Sequence, residues 1–161
     1  MSLLFEFERM RVLKKYIGFK MIEAEPMTAY EAGQHLARPI DISDAGKQRD
    51  GYLVKYPDGY VSWSPKDVFE KAYMQVGDNN TITNDNVDNF IIRYEDFTIG
   101  DKTTVVRAVL ANNFVVVDSS SCVDPKNFNQ EIGTSICKDR IKGKVWELLG
   151  FLLQTAKEGI R

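Results

Sequence analysis

The chain has 161 residues, of which 43% are hydrophobic and 27% charged, with a formal net charge of −2. That length supports one ordinary domain or two very small ones around a real core. The charge balance leaves no global nucleic-acid footprint, no apolar run reaches the roughly 18–20 residues of a membrane span, and two cysteines with one histidine argue against a zinc site.

Taken in chain order, residues 2–15 fit a short amphipathic helix, with Leu3, Leu4, Phe7, Met10 and either Val12 or Leu13 apolar, or else a tail or start-site extension. The apolar stretch precedes the charges and no small-residue cleavage site follows, the reverse of a secretory signal. A cytoplasmic chain with reduced thiols is therefore expected. Residues 16–24 read as a strand ended by Pro26, and Thr28 caps a short helix over 29–36. Residues 37–50 are polar and carry Pro39 and Gly46, which makes them a loop. Residues 51–56 and 60–63 form a hairpin about Pro57-Asp58-Gly59. Ser64 then caps a helix over 65–73, with Pro65 first and Val68, Phe69 and Ala72 on one face.

The Asn/Asp-rich run 77–80, extending towards 89, is the best linker. Strands follow over 90–97, 103–110 and 114–117, turned by Gly100-Asp101 and Asn112-Asn113. Asp124-Pro125 starts the final helix, in which Phe128, Ile132, Ile136, Ile141, Val145, Leu148, Leu149, Leu152 and Leu153 recur at helical spacing. Gly143 bends or splits it and Gly159 stops it. The expected fold class is α+β: small antiparallel sheets with helices and a long C-terminal amphipathic helix. Two modules are expected, a β-α-β-β-α unit over 16–75 and a second over 85–159. The long helix offers more apolar surface than three strands cover, which points to a homo-oligomer.

Five residues stand out as ligand candidates. Asp124 is either a plain N-cap or an acceptor for a sugar hydroxyl or base N–H. Phe114, directly after a turn, is either core or a stacking platform. Arg140 and Lys144 belong to a basic string with Lys138 and Lys142, whose alternate spacing spreads it around the helix; a solvated face competes with phosphate binding. Arg93 stands alone among five acids in residues 81–101, either paired with them or kept for a ligand. Tyr52, Tyr56, Tyr60 and Trp63 form either a binding surface or cross-strand packing. Ser119, Ser120, Ser121 and Cys122 lack a nearby base in the sequence and His35 is remote, so no catalytic residue, metal or cofactor is expected.

Residues 81–153 resemble a phage family typified by the gene-49 and gene-66 products of small tailed phages. Asn113-Phe114-Val115-Val116-Val117, Cys122-Val123-Asp124-Pro125, Asn127-Phe128, Glu131-Ile132-Gly133, Lys144-Val145-Trp146 and Gly150-Phe151-Leu152-Leu153 carry the likeness. The family's usual Asn-Gly-Phe turn is here Asn112-Asn113-Phe114. Residues 51–73 resemble a small module that recurs in phage and prophage proteins. The C-terminal pattern is also similar to the first Thoeris anti-defence type, oligomeric sponges that bind a cyclic ADP-ribose isomer, some also cyclic trinucleotides, without cleaving them. That resemblance implies a cyclic nucleotide ligand, with Phe114 stacking on a base and Asp124 at a polar contact usually made by Asn. Arg93 and Arg140 would be the nearest counterparts of its pocket arginines. The alternative function is a protein-binding or structural phage module acting on a host or phage partner. Neither reading involves sequence-specific nucleic-acid binding.

Overall fold

The computed structural model describes residues 15, 17–40, 43 and 48–161. The helix expected over 2–15 lies, Lys15 apart, outside the described residues. The described chain is α+β, as expected, with two three-stranded antiparallel sheets ordered β1-β2-β3 and β4-β5-β6.

The first sheet contains β1 (Glu23–Pro26), β2 (Gly51–Lys55) and β3 (Val61–Pro65), with α1 (Ala29–His35) between β1 and β2 and α2 (Lys66–Ala72) after β3. Thr28 accepts from the Glu31 amide while Glu31 accepts from the Thr28 amide, a complete capping box. The strand expected over 16–24 is corrected: β1 begins only at Glu23 and includes Pro26, which an edge strand tolerates. Residues 17–22 leave the sheet, and the Met21 amide donates to the Ala156 carbonyl at 3.2 Å. The second helix starts one residue later than expected. The ladder runs on to the Gly51–Pro65 pair, so Ser64 lies in β3 opposite Tyr52 and Pro65 takes the cap position.

Both hairpins next to a site use one turn design. At 56–60 the Gly59 amide donates to the Tyr56 carbonyl and Gly59 has φ +86°. At 110–114 the Asn113 amide donates to the Leu110 carbonyl and Asn113 has φ +65°. Each is a three-residue loop whose last residue is left-handed, the geometry that matches strand twist.

The expected linker is also corrected. Gly77 and Thr81 pair across a tight turn, and α3 (Asn84–Phe90) follows, capped by Thr83 with Asn86 reciprocating. Val87 of α3 is fully buried, and Ile82, Phe90 and Ile91 pack on the same core. Asn and Asp favour turns locally, but burial of this apolar set outweighs a propensity difference of a few tenths of a kcal/mol per residue.

The second sheet contains β4 (Ile91–Ile99), β5 (Thr103–Leu110) and β6 (Val115–Ser121). A 3-10 turn (Pro125–Asn127) precedes α4 (Gln130–Glu158), which is continuous through Gly143. Asp124 caps the 3-10 turn alone; α4 has its own cap, Asn129, which accepts from the Ile132 amide. Gly133, Cys137, Ile141, Val145 and Leu149 form the buried stripe of α4. They meet Val106, Ala108, Leu110 and Val116 on one face of the sheet. Ile132, Ile136 and Leu148, expected in the apolar face, are exposed instead. Gly133 lies so close to fully buried Thr104 that a Cβ there would run into the Thr104 side chain.

Candidate functional site

The helix covers only one face of the second sheet, and alternation places every other residue on the opposite face. Cross-strand register aligns Arg93, Val109 and Val115; Glu95, Arg107 and Val117; Phe97, Val105 and Ser119; and Ile99, Thr103 and Ser121 in four rows across that face. Phe97, Ile99 and Val117 are each more than half exposed. At its centre the Glu95 carboxylate accepts from Arg93 Nε at 2.9 Å and from Arg107 Nη1 at 2.7 Å. These bonds, that from Arg93 first, hold the Glu95 carboxyl below its ordinary range. Arg93 is thus an ion-paired residue of the open face.

Phe114 is 56% exposed and not core. It follows the tight turn, where Asn112 Oδ1 accepts from its amide at 3.0 Å. Arg93 lies two strands from Val115 in register, roughly 10 Å away, so Arg93 and Phe114 share one end of the sheet.

Arg140 and Lys144 lie on the other face and are joined by a residue that the sequence reading passed over, Asp118. Its carboxylate, 12% exposed, accepts from Lys144 Nζ at 2.6 Å and from Arg140 Nη1 at 3.5 Å. The Lys144 bond is the main reason the Asp118 carboxyl is held low, with Arg140 adding to it. The signal for this group was present: Asp118 is two residues after buried Val116, so it points inward, where a charge needs partners.

The basic string forms no single stripe on α4. Members four apart form two pairs flanking the buried stripe. On the second flank Lys142 pairs with Asp88 at 2.7 Å, and the Lys138 ammonium lies over the Tyr94 ring at 5.0 Å. All four cations therefore already have a partner within the chain.

Asp124 lies at the far end of β6 from Phe114, separated by a seven-residue strand, roughly 20 Å. Its Oδ1 accepts from the Lys126 amide at 3.0 Å, and the Cys122 thiol donates to its carbonyl at 3.1 Å. Within one copy, Phe114 and Asp124 do not share a pocket. Among the described residues no group of three metal-ligating side chains comes together, and no helix is long and apolar enough to cross a membrane.

The hairpin aromatics separate by face. Tyr56 stacks on Tyr60 at 5.8 Å and Tyr52 on Phe69 at 4.1 Å, whereas Trp63 donates through Nε1 to the Met27 carbonyl at 2.7 Å.

The likeness to known proteins lies in the second sheet and its helices. Residues 82–157 match the phage protein (N4 Gp49/phage Sf6 gene 66) family. The match covers just under half of the chain and starts at Ile82, beside the Thr83 cap of α3. It supports a phage accessory role for the protein and specifies no ligand. No curated protein and no solved structure matches the chain.

Proposed function

We propose that the protein is a non-enzymatic phage accessory module that works by binding, with the open face of the β4–β6 sheet as its working surface and a second copy of the chain as its cover. The observation that carries this reading is that face itself. Apolar side chains in register leave Phe97, Ile99 and Val117 in water, which an isolated small domain gains nothing by exposing. The Arg93–Glu95–Arg107 group at its centre carries both signs, so a two-fold related copy can pair with it. Sedimentation velocity on the full chain is expected to show a dimer or larger assembly. The double change Phe97→Asp and Val117→Asp is expected to give folded monomers. A wild-type chain that stays monomeric at every concentration would discard this reading.

A second reading is favoured by Arg93 and Phe114 lying at one end of that sheet. In it the assembly sequesters a cyclic nucleotide or cyclic ADP-ribose-type signal without cleaving it, as the resemblance to the Thoeris anti-defence type implies. Phe114 stacks on a base and Arg93 turns from Glu95 to a phosphate. Asp124 then has to come from another copy, because β6 separates it from Phe114 within one, and Arg140 and Lys144 have to turn from Asp118 to the ligand. A melting panel of such ligands tests it: at 100 times its Kd a ligand adds about 2.7 kcal/mol. The gain should vanish in Phe114→Ala. A flat panel with an intact assembly leaves the interaction role alone.

A further inference from the structure

A cavity of about 550 Å³ lies in the N-terminal part of the chain, away from the family-matched sheet, between the segment that leads into β1 and the end of α2. One wall is a continuous aromatic stack: Tyr52 on Phe69 at 4.1 Å between ring centres, and Phe69 on Tyr73 at 5.0 Å. Glu70 lines the same cavity. Its Oε1 accepts from the Tyr52 hydroxyl at 2.9 Å, and among the described residues it forms no ion pair. Other carboxylates beside basic side chains in this region do pair, Glu23 with Lys55 and Asp67 with Arg49. Lys20 also lines the cavity, but its ammonium lies over the Tyr56 ring at 4.3 Å, in an adjoining hollow.

We propose that this cavity is a binding site for an arginine side chain presented by a peptide segment of a partner protein. The chemistry is specific. A guanidinium is flat, weakly hydrated and always charged, so it stacks on an aromatic wall and offers a fork of N–H donors to a carboxylate. Glu70 supplies that carboxylate, already oriented by the Tyr52 hydroxyl, and among the described residues its second oxygen accepts no hydrogen bond. The Tyr52–Phe69–Tyr73 stack supplies the face. An ammonium lacks the flat shape, and a neutral urea lacks the charge. The Lys20–Tyr56 contact shows a tyrosine of the adjoining hollow holding a cation over its ring within the chain.

The test uses the full chain and three probes, acetyl-Gly-Xaa-Gly-amide with Xaa arginine, lysine or citrulline, followed by NMR of the Met21 and Met74 methyl groups, both of which line the cavity. The arginine probe is expected to shift these methyls saturably. Citrulline, the neutral isostere, should bind at least about tenfold more weakly, and lysine should fall between. Glu70→Gln keeps an acceptor for Tyr52 and should abolish the preference for arginine over citrulline. Equal binding of arginine and citrulline, or no shift with arginine, overturns the proposal. If Glu70→Gln fails to fold, the arginine–citrulline comparison on the unaltered chain still decides. This site does not depend on the open sheet face, so either reading can fail without the other.

Discussion

At Asn113 a left-handed backbone sits on a residue with a side chain, where the parallel turn has Gly59. Left-handed geometry costs most L-residues roughly 1–2 kcal/mol, and Asn less because its short amide bonds locally. Asn113→Gly is therefore expected to be neutral or stabilising, and Asn113→Ala to cost about 1 kcal/mol, read from urea midpoints at constant m. Tyr94 poses the opposite problem: its hydroxyl is buried without a hydrogen-bond partner among the described residues, and burial raises its pKa above the ordinary phenol value. Because a lone buried hydroxyl costs about 1–3 kcal/mol, Tyr94→Phe is expected to leave the melting temperature unchanged or raise it. A clear loss of stability would show that the hydroxyl has a partner in solution. The Phe114 reading was open between core and surface because a single aromatic after a turn fits both; packing alone put it in water.

At the scale of elements, α4 sits on the sheet through a stripe spaced by four, Gly133, Cys137, Ile141, Val145 and Leu149. Its N-terminal half approaches β5 closely because Gly133 presents no Cβ to Thr104. Gly133→Ala forces the helix or strand to move and is expected to cost about 1–3 kcal/mol, measured by chemical denaturation, although alanine is the better helix former by about 1 kcal/mol. The apolar periodicity of this helix was legible, but its buried side was not. Ile132, Ile136 and Leu148 look as suitable as Ile141 by hydropathy, and only the sheet's position separates them. The start of α4 was misplaced for a similar reason: Asp124-Pro125 and Asn129 are both good caps, and the chain uses both in succession.

For the whole molecule, the charged tie between β6 and α4 is the Asp118–Lys144–Arg140 group. Its carboxyl is held below its unfolded value of about 3.9. It contributes stability that is present above that value and is lost as pH falls through the lower folded value. Asp118→Asn is expected to cost about 1–2 kcal/mol at neutral pH, since the two cations left behind remain half exposed to water. It should also flatten the stability–pH curve below about pH 4 relative to the unaltered chain; parallel curves would remove Asp118 from the acid response.

The residues by themselves determined what depends on neighbours in the chain. The α1 cap, the turns at 57–59 and 111–113, the presence of three C-terminal strands (though not the end of β6, which runs four residues past 117 to Ser121), the helical period of the last segment and its Gly159 stop follow from φ preferences, period and orphan amides. Tertiary structure decided what depends on distance through space. It made a helix of the Asn/Asp-rich 84–90 segment because Val87 reaches the core. It paired Arg140 and Lys144 on Asp118, and brought Arg107 to the Glu95 carboxylate that Arg93, two residues away on the same strand, also holds, because strand register and helix pitch bring together residues 12 to 26 positions apart in sequence. It set Phe114 and Asp124 at opposite ends of one strand, since extended backbone turns ten residues into tens of ångströms.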